Sequence, residues 1–186
     1  FETLAQKNIE TMNQYKFNRV VASCPHCLQT ISKEYPDFGG NYEVIHHTQL
    51  IEELISEGKL HTNNIIDDKI TYHDACYLGR HNDIYESPRN IIKDLMDESG
   101  SFVEMKESRS NSMCCGAGGG NMWHEINDGD RVNVKRFEQV MDTGADTVAT
   151  ACSFCAIMME DAMKVKGQEK NMKVLDVAEI VARGIK

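Results

Sequence analysis

No stretch of this chain approaches the roughly 18 consecutive apolar residues of a membrane-spanning helix, and no secretory signal is visible. A membrane role is therefore expected only through missing segments or another subunit. Basic charge is in short supply: 20 Lys and Arg stand against 29 Asp and Glu, a net charge of −9. That balance disfavours nonspecific binding to nucleic acid or anionic lipid. No serine, histidine and carboxylate arrangement suggests hydrolysis. The glycine-rich segment lacks the GK[ST] ending of a phosphate loop and does not match GxGxxG. An even set of cysteines is also missing. Seven is odd for a fully paired secreted scaffold, so a reducing, cytoplasmic compartment is expected, with a place at the inner face of the membrane open to it.

What is present is sulfur in a pattern. Cys76, the adjacent pair Cys114 and Cys115, and the C-x-x-C of Cys152 and Cys155 fall in the second half of the chain. Such a collection argues for bound metal rather than disulfides. Thiolates are soft ligands, and all-thiolate sites select zinc, copper(I) or iron–sulfur clusters. Five sulfurs are one more than a tetrahedral zinc needs. The leading expectation is an iron–sulfur redox protein.

Helix and strand patterns alternate along the chain. Helices are expected at 3–16, 24–35, 48–58, from Pro88 to about Glu98, at 129–144, 153–167 and 177–185. Strands are expected at 18–23, 42–47, 69–76, 101–105, 146–152 and 173–176. Thr48 is a plausible cap and Gly58 a stop for the third helix. The alternation predicts an α/β fold: two related Rossmann-like βα layers with parallel sheets. An internal echo sharpens this. RVVASCPHCLQTI from Arg19 resembles TVATACSFCAIMM from Thr147, and YEVIHHTQLIEELI resembles MKVLDVAEIVARGI. The reading is a duplication in which residues 1–67 are the end of a first repeat and residues 68–186 a complete second one. The alternative is chance similarity of two βα units. Because the chain starts at Phe1, the first repeat is expected to be truncated. Roughly 100 upstream residues with one further Cys and another Cys-Cys-Gly are expected by the repeat logic.

Cys24, Cys76 and Cys152 all fall at carboxyl ends of expected strands, where sites gather in parallel α/β layers. A C-x-x-C that opens a helix puts sulfur near backbone N–H groups and the positive helix end, which stabilises thiolate. Gly116, Gly118, Gly119 and Gly120 permit positive φ and close approach, and successive N–H groups can form an anion-binding nest.

The spacing C-x37-CCG-x35-C-x-x-C, preceded by HDAC and followed by GAGGG, resembles the cysteine-rich CCG domain. That domain occurs in the heterodisulfide reductase catalytic subunit and the glycolate oxidase iron–sulfur subunit. HDACYLGRHNDIYESPR, CCGAGGGNMW and TGADTVATACSFC are most similar to a membrane-linked branch that carries electrons between electron-transfer flavoprotein and quinone. The resemblance implies a noncubane four-iron cluster held by Cys76, Cys114, Cys115, Cys152 and Cys155. It also implies that Cys24 and Cys27 serve the other repeat. It implies a redox partner, either a flavoprotein or an iron–sulfur subunit, and a quinone or disulfide acceptor. Ala75 and Ser153 stand where family members often carry proline.

Several residues admit two readings. His73 and Asp74 are either supports of the metal site or satisfied strand-end groups. Arg80 and His81 either offset cluster charge or lie in a solvated loop. His26 either tunes neighbouring sulfurs or is exposed, and of His46 and His47, at a strand end, one either faces the site or, as expected, both are structural. Met158, Met159 and Met163 are expected in the core. Trp123 either walls the site or packs, and Glu52, Glu53 and Glu57 form a solvated face. Against the redox reading stand a non-catalytic zinc module, with zinc entering an isolated or air-exposed fragment, and a thiol exchanger that uses C-x-x-C alone.

Overall fold

Two parallel sheets carry the chain. They are seen in a computed structural model that describes residues 1–63, 66–124 and 131–185. The small sheet pairs β1 (Val20–Ala22) with β2 (Val44–His46). The larger one has the order β4-β3-β5-β6, with β3 (Lys69–Tyr72), β4 (Ser101–Phe102), β5 (Thr147–Thr150) and β6 (Lys173–Asp176). Every residue of β5 is buried. Its β-branched run TVAT suits the interior of a parallel sheet covered on both faces.

Helices precede, join and follow these strands. They are α1 (Glu2–Met12), α2 (Pro25–Gln29), α3 (His47–Ser56), α4 (Glu86–Asp94), α5 (Val132–Asp142), α6 (Ser153–Val165) and α7 (Val177–Gly184). α7 buries Val177, Ile180, Val181 and Gly184, one stripe at helical spacing. One continuous core includes Ala22 and Leu28 from the first sheet region, Ile70 and Val148 from the second, and the sulfurs of Cys115, Cys152 and Cys155. Met158 and Met159 lie in this core and Met163 packs against it.

The sequence echo extends to pairing and capping. β1 and β2 pair Val20 with Val44 and Ala22 with His46. β5 and β6 pair Val148 with Val174 and Thr150 with Asp176, the corresponding register. α3 and α7 each begin with a capping box, on His46 with Gln49 and on Asp176 with Glu179. The units meet where His47 Nε2 lies 3.0 Å from Asp176 Oδ1.

Several expected boundaries differ. The 3–16 helix ends at Met12, and the backbone then closes in i→i−3 turns at Gln14 and Tyr15. The 24–35 helix ends at Gln29 and continues as a π turn over Thr30–Glu34 and a 3₁₀ turn over Tyr35–Phe38. Pro36 is in that tighter turn; it offers no N–H to an α-helical ladder. Thr48 does not cap α3: it lies inside the helix, and the side chain of His46 accepts its N–H. Pro88 is the third residue of α4 rather than the first, and β4 is only two residues long. The expected helix at 129–144 begins at Val132, with 129–130 outside the described residues.

Candidate metal centre

Three strand ends and one loop bring six sulfurs together. Cys24 follows β1 and caps α2. Cys152 follows β5 and caps α6, with Cys155 in the first turn. Cys76 lies beyond β3, and Cys114 and Cys115 come from the loop between two 3₁₀ turns, Arg109–Asn111 and Gly118–Trp123. Cys24 lies within 4.8 Å of Cys152 and Cys115 within 4.8 Å of Cys155, and neighbouring thiols set the acidity of Cys152 and Cys155, of Cys115 and Cys114, and of Cys76. Cys27, the remaining sulfur, is exposed. Cys24 thus lies near Cys152, in a group that its C-x-x-C partner Cys27 does not join.

The sulfurs differ in acidity. Hydrogen bonds from Cys115 and Cys76, with the Gly116 N–H 3.3 Å away, hold the Cys114 thiol far below its ordinary range. Hydrogen bonds from Cys155 and Cys24 hold Cys152 down at about 2, aided by the N–H groups of Cys155 and Phe154 that open α6. The thiols that donate are pushed up: Cys24 by Cys152, Cys76 by Cys114, and Cys155 by Cys115. Cys115 rises to about 11 through Cys114. Six soft sulfur donors gathered in one place form a donor set larger than one tetrahedral ion requires. The set fits a polynuclear centre of the iron–sulfur kind.

The glycine loop supplies backbone at close range. Gly116 has φ +87° and a Cβ there would lie 3.1 Å from Val132 Cβ. Gly119 and Gly120 also have positive φ, whereas Gly118 does not and has open space beside it. Gly118, Gly119 and Gly120 wall a cavity of about 270 Å³ together with His26, Tyr77 and the highly exposed Trp123. His26 stacks near Tyr77 at 4.2 Å and meets Phe154 edge-on, and Tyr77 stacks on His81 at 4.3 Å. His26 Nδ1 also lies 3.5 Å from Cys24 Sγ, in a group that includes Cys152.

Charged side chains brace the site from behind. Arg80 donates to the Ser112 carbonyl at 2.7 Å, and its charge favours thiolate at Cys76. Asp74 accepts a two-pronged contact from the fully buried Arg89, at 2.7 and 2.8 Å, and Glu104 takes the other side of that guanidinium. His73, wholly buried, contributes a ring nitrogen within 4.8 Å of Cys115 and Cys155. His46 caps α3 and His47 pairs with Asp176, the structural places expected of them. Glu53 pairs with Arg19 and Glu52 with Asn90, so that helix face is partnered as well as solvated.

Sequence reasoning missed Arg89 and Arg136. Both are completely buried. The signal for Arg136 lay in its place on the apolar stripe of α5 with Asn133, Phe137 and Val140. A charged residue on a buried stripe needs a buried partner. No described helix is long and apolar enough to cross a membrane.

The family model of the cysteine-rich domain called CCG matches residues 1–32 and 70–160. The chain is 39% identical over 188 residues to "EtfAB:quinone oxidoreductase" of Syntrophomonas wolfei, covering 97% of this chain and 26% of that protein. It is 40% identical over 185 residues to "Probable iron-sulfur-binding oxidoreductase FadF" of Bacillus subtilis, covering 100% and 26%. It is 31% identical over 185 residues to one subunit of the dihydromethanophenazine:CoB–CoM heterodisulfide reductase of Methanosarcina barkeri, covering 98% and 44%. The chain thus spans about a quarter of the first two relatives and under half of the third.

Proposed function

The chain belongs to the CCG cysteine-rich domain family, and from that premise we propose that it is the cluster-bearing segment of an iron–sulfur oxidoreductase. The observation that carries the reading is the convergence of sulfurs from three strand ends and one glycine loop, with Cys24 within 4.8 Å of Cys152 and Cys115 within 4.8 Å of Cys155. Cys76, Cys114, Cys115, Cys152 and Cys155 would hold a four-iron cluster of the noncubane kind, with Cys24 flanking it and Cys27 belonging to the other repeat. Residues 1–67 then form the end of a first CCG repeat and residues 68–186 a second. When bound, the cluster supplies reversible electron storage.

The chain's own residues do the rest. Gly116 N–H and the opening N–H groups of α6 stabilise negative charge on sulfur. Core packing around Cys115, Cys152 and Cys155 keeps water from the buried side. The aromatic-walled cavity beside His26, Tyr77 and Trp123 offers a planar or disulfide acceptor a route toward the sulfurs. Electrons would come from a flavoprotein or an iron–sulfur partner, by likeness to relatives named for electron-transfer flavoprotein, quinone and heterodisulfide. A cytoplasmic place at the inner membrane face accords with that assignment, the membrane being reached through other segments or subunits.

Cys24, His26 and Cys152 converge within 4.8 Å, and that convergence favours a second reading, zinc at a structural site. Anaerobic loading of the chain with iron and sulfide, followed by metal and acid-labile sulfide analysis, separates the two. Several irons per chain with matching sulfide and visible absorption are expected. One zinc per chain with no iron uptake would replace the redox reading with the structural one.

A further inference from the structure

A buried cation without a carboxylate points at the sulfur site. Arg136 is wholly inaccessible, yet among the described residues no carboxylate ion-pairs with it. Its donors go elsewhere: Nε to His73 Nδ1 at 3.0 Å, one terminal nitrogen to the Glu107 carbonyl and Gln139, and the other to Ser112 Oγ at 3.0 Å. A guanidinium has no acceptor atom and stays protonated. The His73 nitrogen facing it must therefore present a lone pair, which leaves the ring proton on Nε2. Nε2 is buried and has no partner among the described residues. The ring nitrogen of His73 shares a 4.8 Å neighbourhood with Cys115 and Cys155.

We infer that Arg136 and His73 form a fixed relay, in which the guanidinium orients the imidazole so that its Nε2–H donates to sulfur at the Cys115–Cys155 side of the cluster site. This deepens the iron–sulfur reading and rests on it. His73 acts on the site directly and Arg136 is a positioning residue. With Nδ1 accepting from the guanidinium, the ring carries one proton, on Nε2, and is neutral. No proton has to move; the N–H remains in place through reduction. Adding an electron makes a cluster more negative, and both an N–H donor and a nearby cation favour that state. The relay therefore holds the potential up. A buried donor lacking its acceptor is costly, which gives a reason for its aim at sulfur.

The test uses this chain loaded anaerobically with iron and sulfide, with metal analysis beside every potential. In His73→Phe and Arg136→Met the iron content is expected to match the unsubstituted chain. The oxidised form should gain about tenfold over the reduced one, which for one electron is a fall of about 59 mV in midpoint potential. Arg136→Lys, which keeps the charge, is expected to recover part of the shift. Pulsed electron paramagnetic resonance on the unsubstituted chain, with ¹⁵N-histidine and exchange into D₂O, serves where a variant fails to fold. A weakly coupled nitrogen with an exchangeable proton is the expected signature. Unchanged potentials at full iron loading overturn the relay alone. So does a strong nitrogen coupling, which would make a histidine an iron ligand, or no nitrogen coupling at all. Absence of iron in the unsubstituted chain overturns the relay and the iron–sulfur reading together.

Discussion

Asp74 shows how single side chains hold the sulfur loops in place. Two residues before Cys76, its carboxylate takes two N–H groups of Arg89 and the backbone N–H of Arg109 at 2.7 Å. Arg89 also stands 5.1 Å from the ring of Tyr72. Removing one partner of a buried ion pair leaves a charge without compensation. Asp74→Asn should cost about 3–5 kcal/mol of stability, read as a lower urea midpoint. A midpoint equal to that of the unsubstituted chain would contradict the bracing role. That the chain turns its sulfurs toward one edge of the sheet was legible at Cys76, though β3 ends at Tyr72 and Cys76 lies four residues beyond it, and at Cys114, Cys115, Cys152 and Cys155. Arg89 and Arg136 were not, because their partners lie 15 and 63 residues away. Cys24 was legible as a strand-end sulfur, but its contact with Cys152 depends on how two units meet. No spacing within one unit encodes that.

The elements that present the sulfurs are short, and their ends do the positioning. Helix starts were readable where a familiar cap occurs, as in the KVLD strand ending on Asp176. They were misread at α3, where histidine takes the cap and Thr48 was the more usual choice. The 3₁₀ turns around the Cys-Cys-Gly segment left no periodic pattern to read. Within that loop the glycines are unequal. Gly116 holds φ +87° with Val132 and Asn133 close to any added Cβ, whereas Gly118 faces open space. Gly116→Ala should lose about 1–3 kcal/mol, from φ strain and crowding. It should also bind iron more weakly, since the N–H on Cys114 moves. Gly118→Ala should keep both stability and iron. Equal iron loading in the two variants would show that the Gly116 backbone has no part in the site.

At the scale of the whole molecule, two similar βα units share one core and meet at His47 and Asp176. The alternation and the echo made parallel sheets legible, and matching registers follow from them. The packing of one unit on the other was not, since it rests on side chains that no periodicity marks. His46, at that junction, is fully buried. Burial, then the adjacent His47, lowers it to about 3 from 6.5. The unfolded ring gains a proton below about 6.5, while the folded ring stays neutral until about 3. Unfolded chains then bind more protons, so stability present above 6.5 is lost as pH falls. Between pH 7 and pH 5 this ring should account for about 2 kcal/mol of lost stability. His46→Asn, which keeps a capping side chain, should lose that much less over the same interval. An identical loss in both chains would count against a neutral His46. The central claim, that the gathered sulfurs are a seat for iron, is tested most directly by X-ray absorption at the iron edge of the anaerobically loaded chain. A first shell of sulfur with a second shell of neighbouring iron is the expected result. A first shell of nitrogen and oxygen, without iron neighbours, would contradict it.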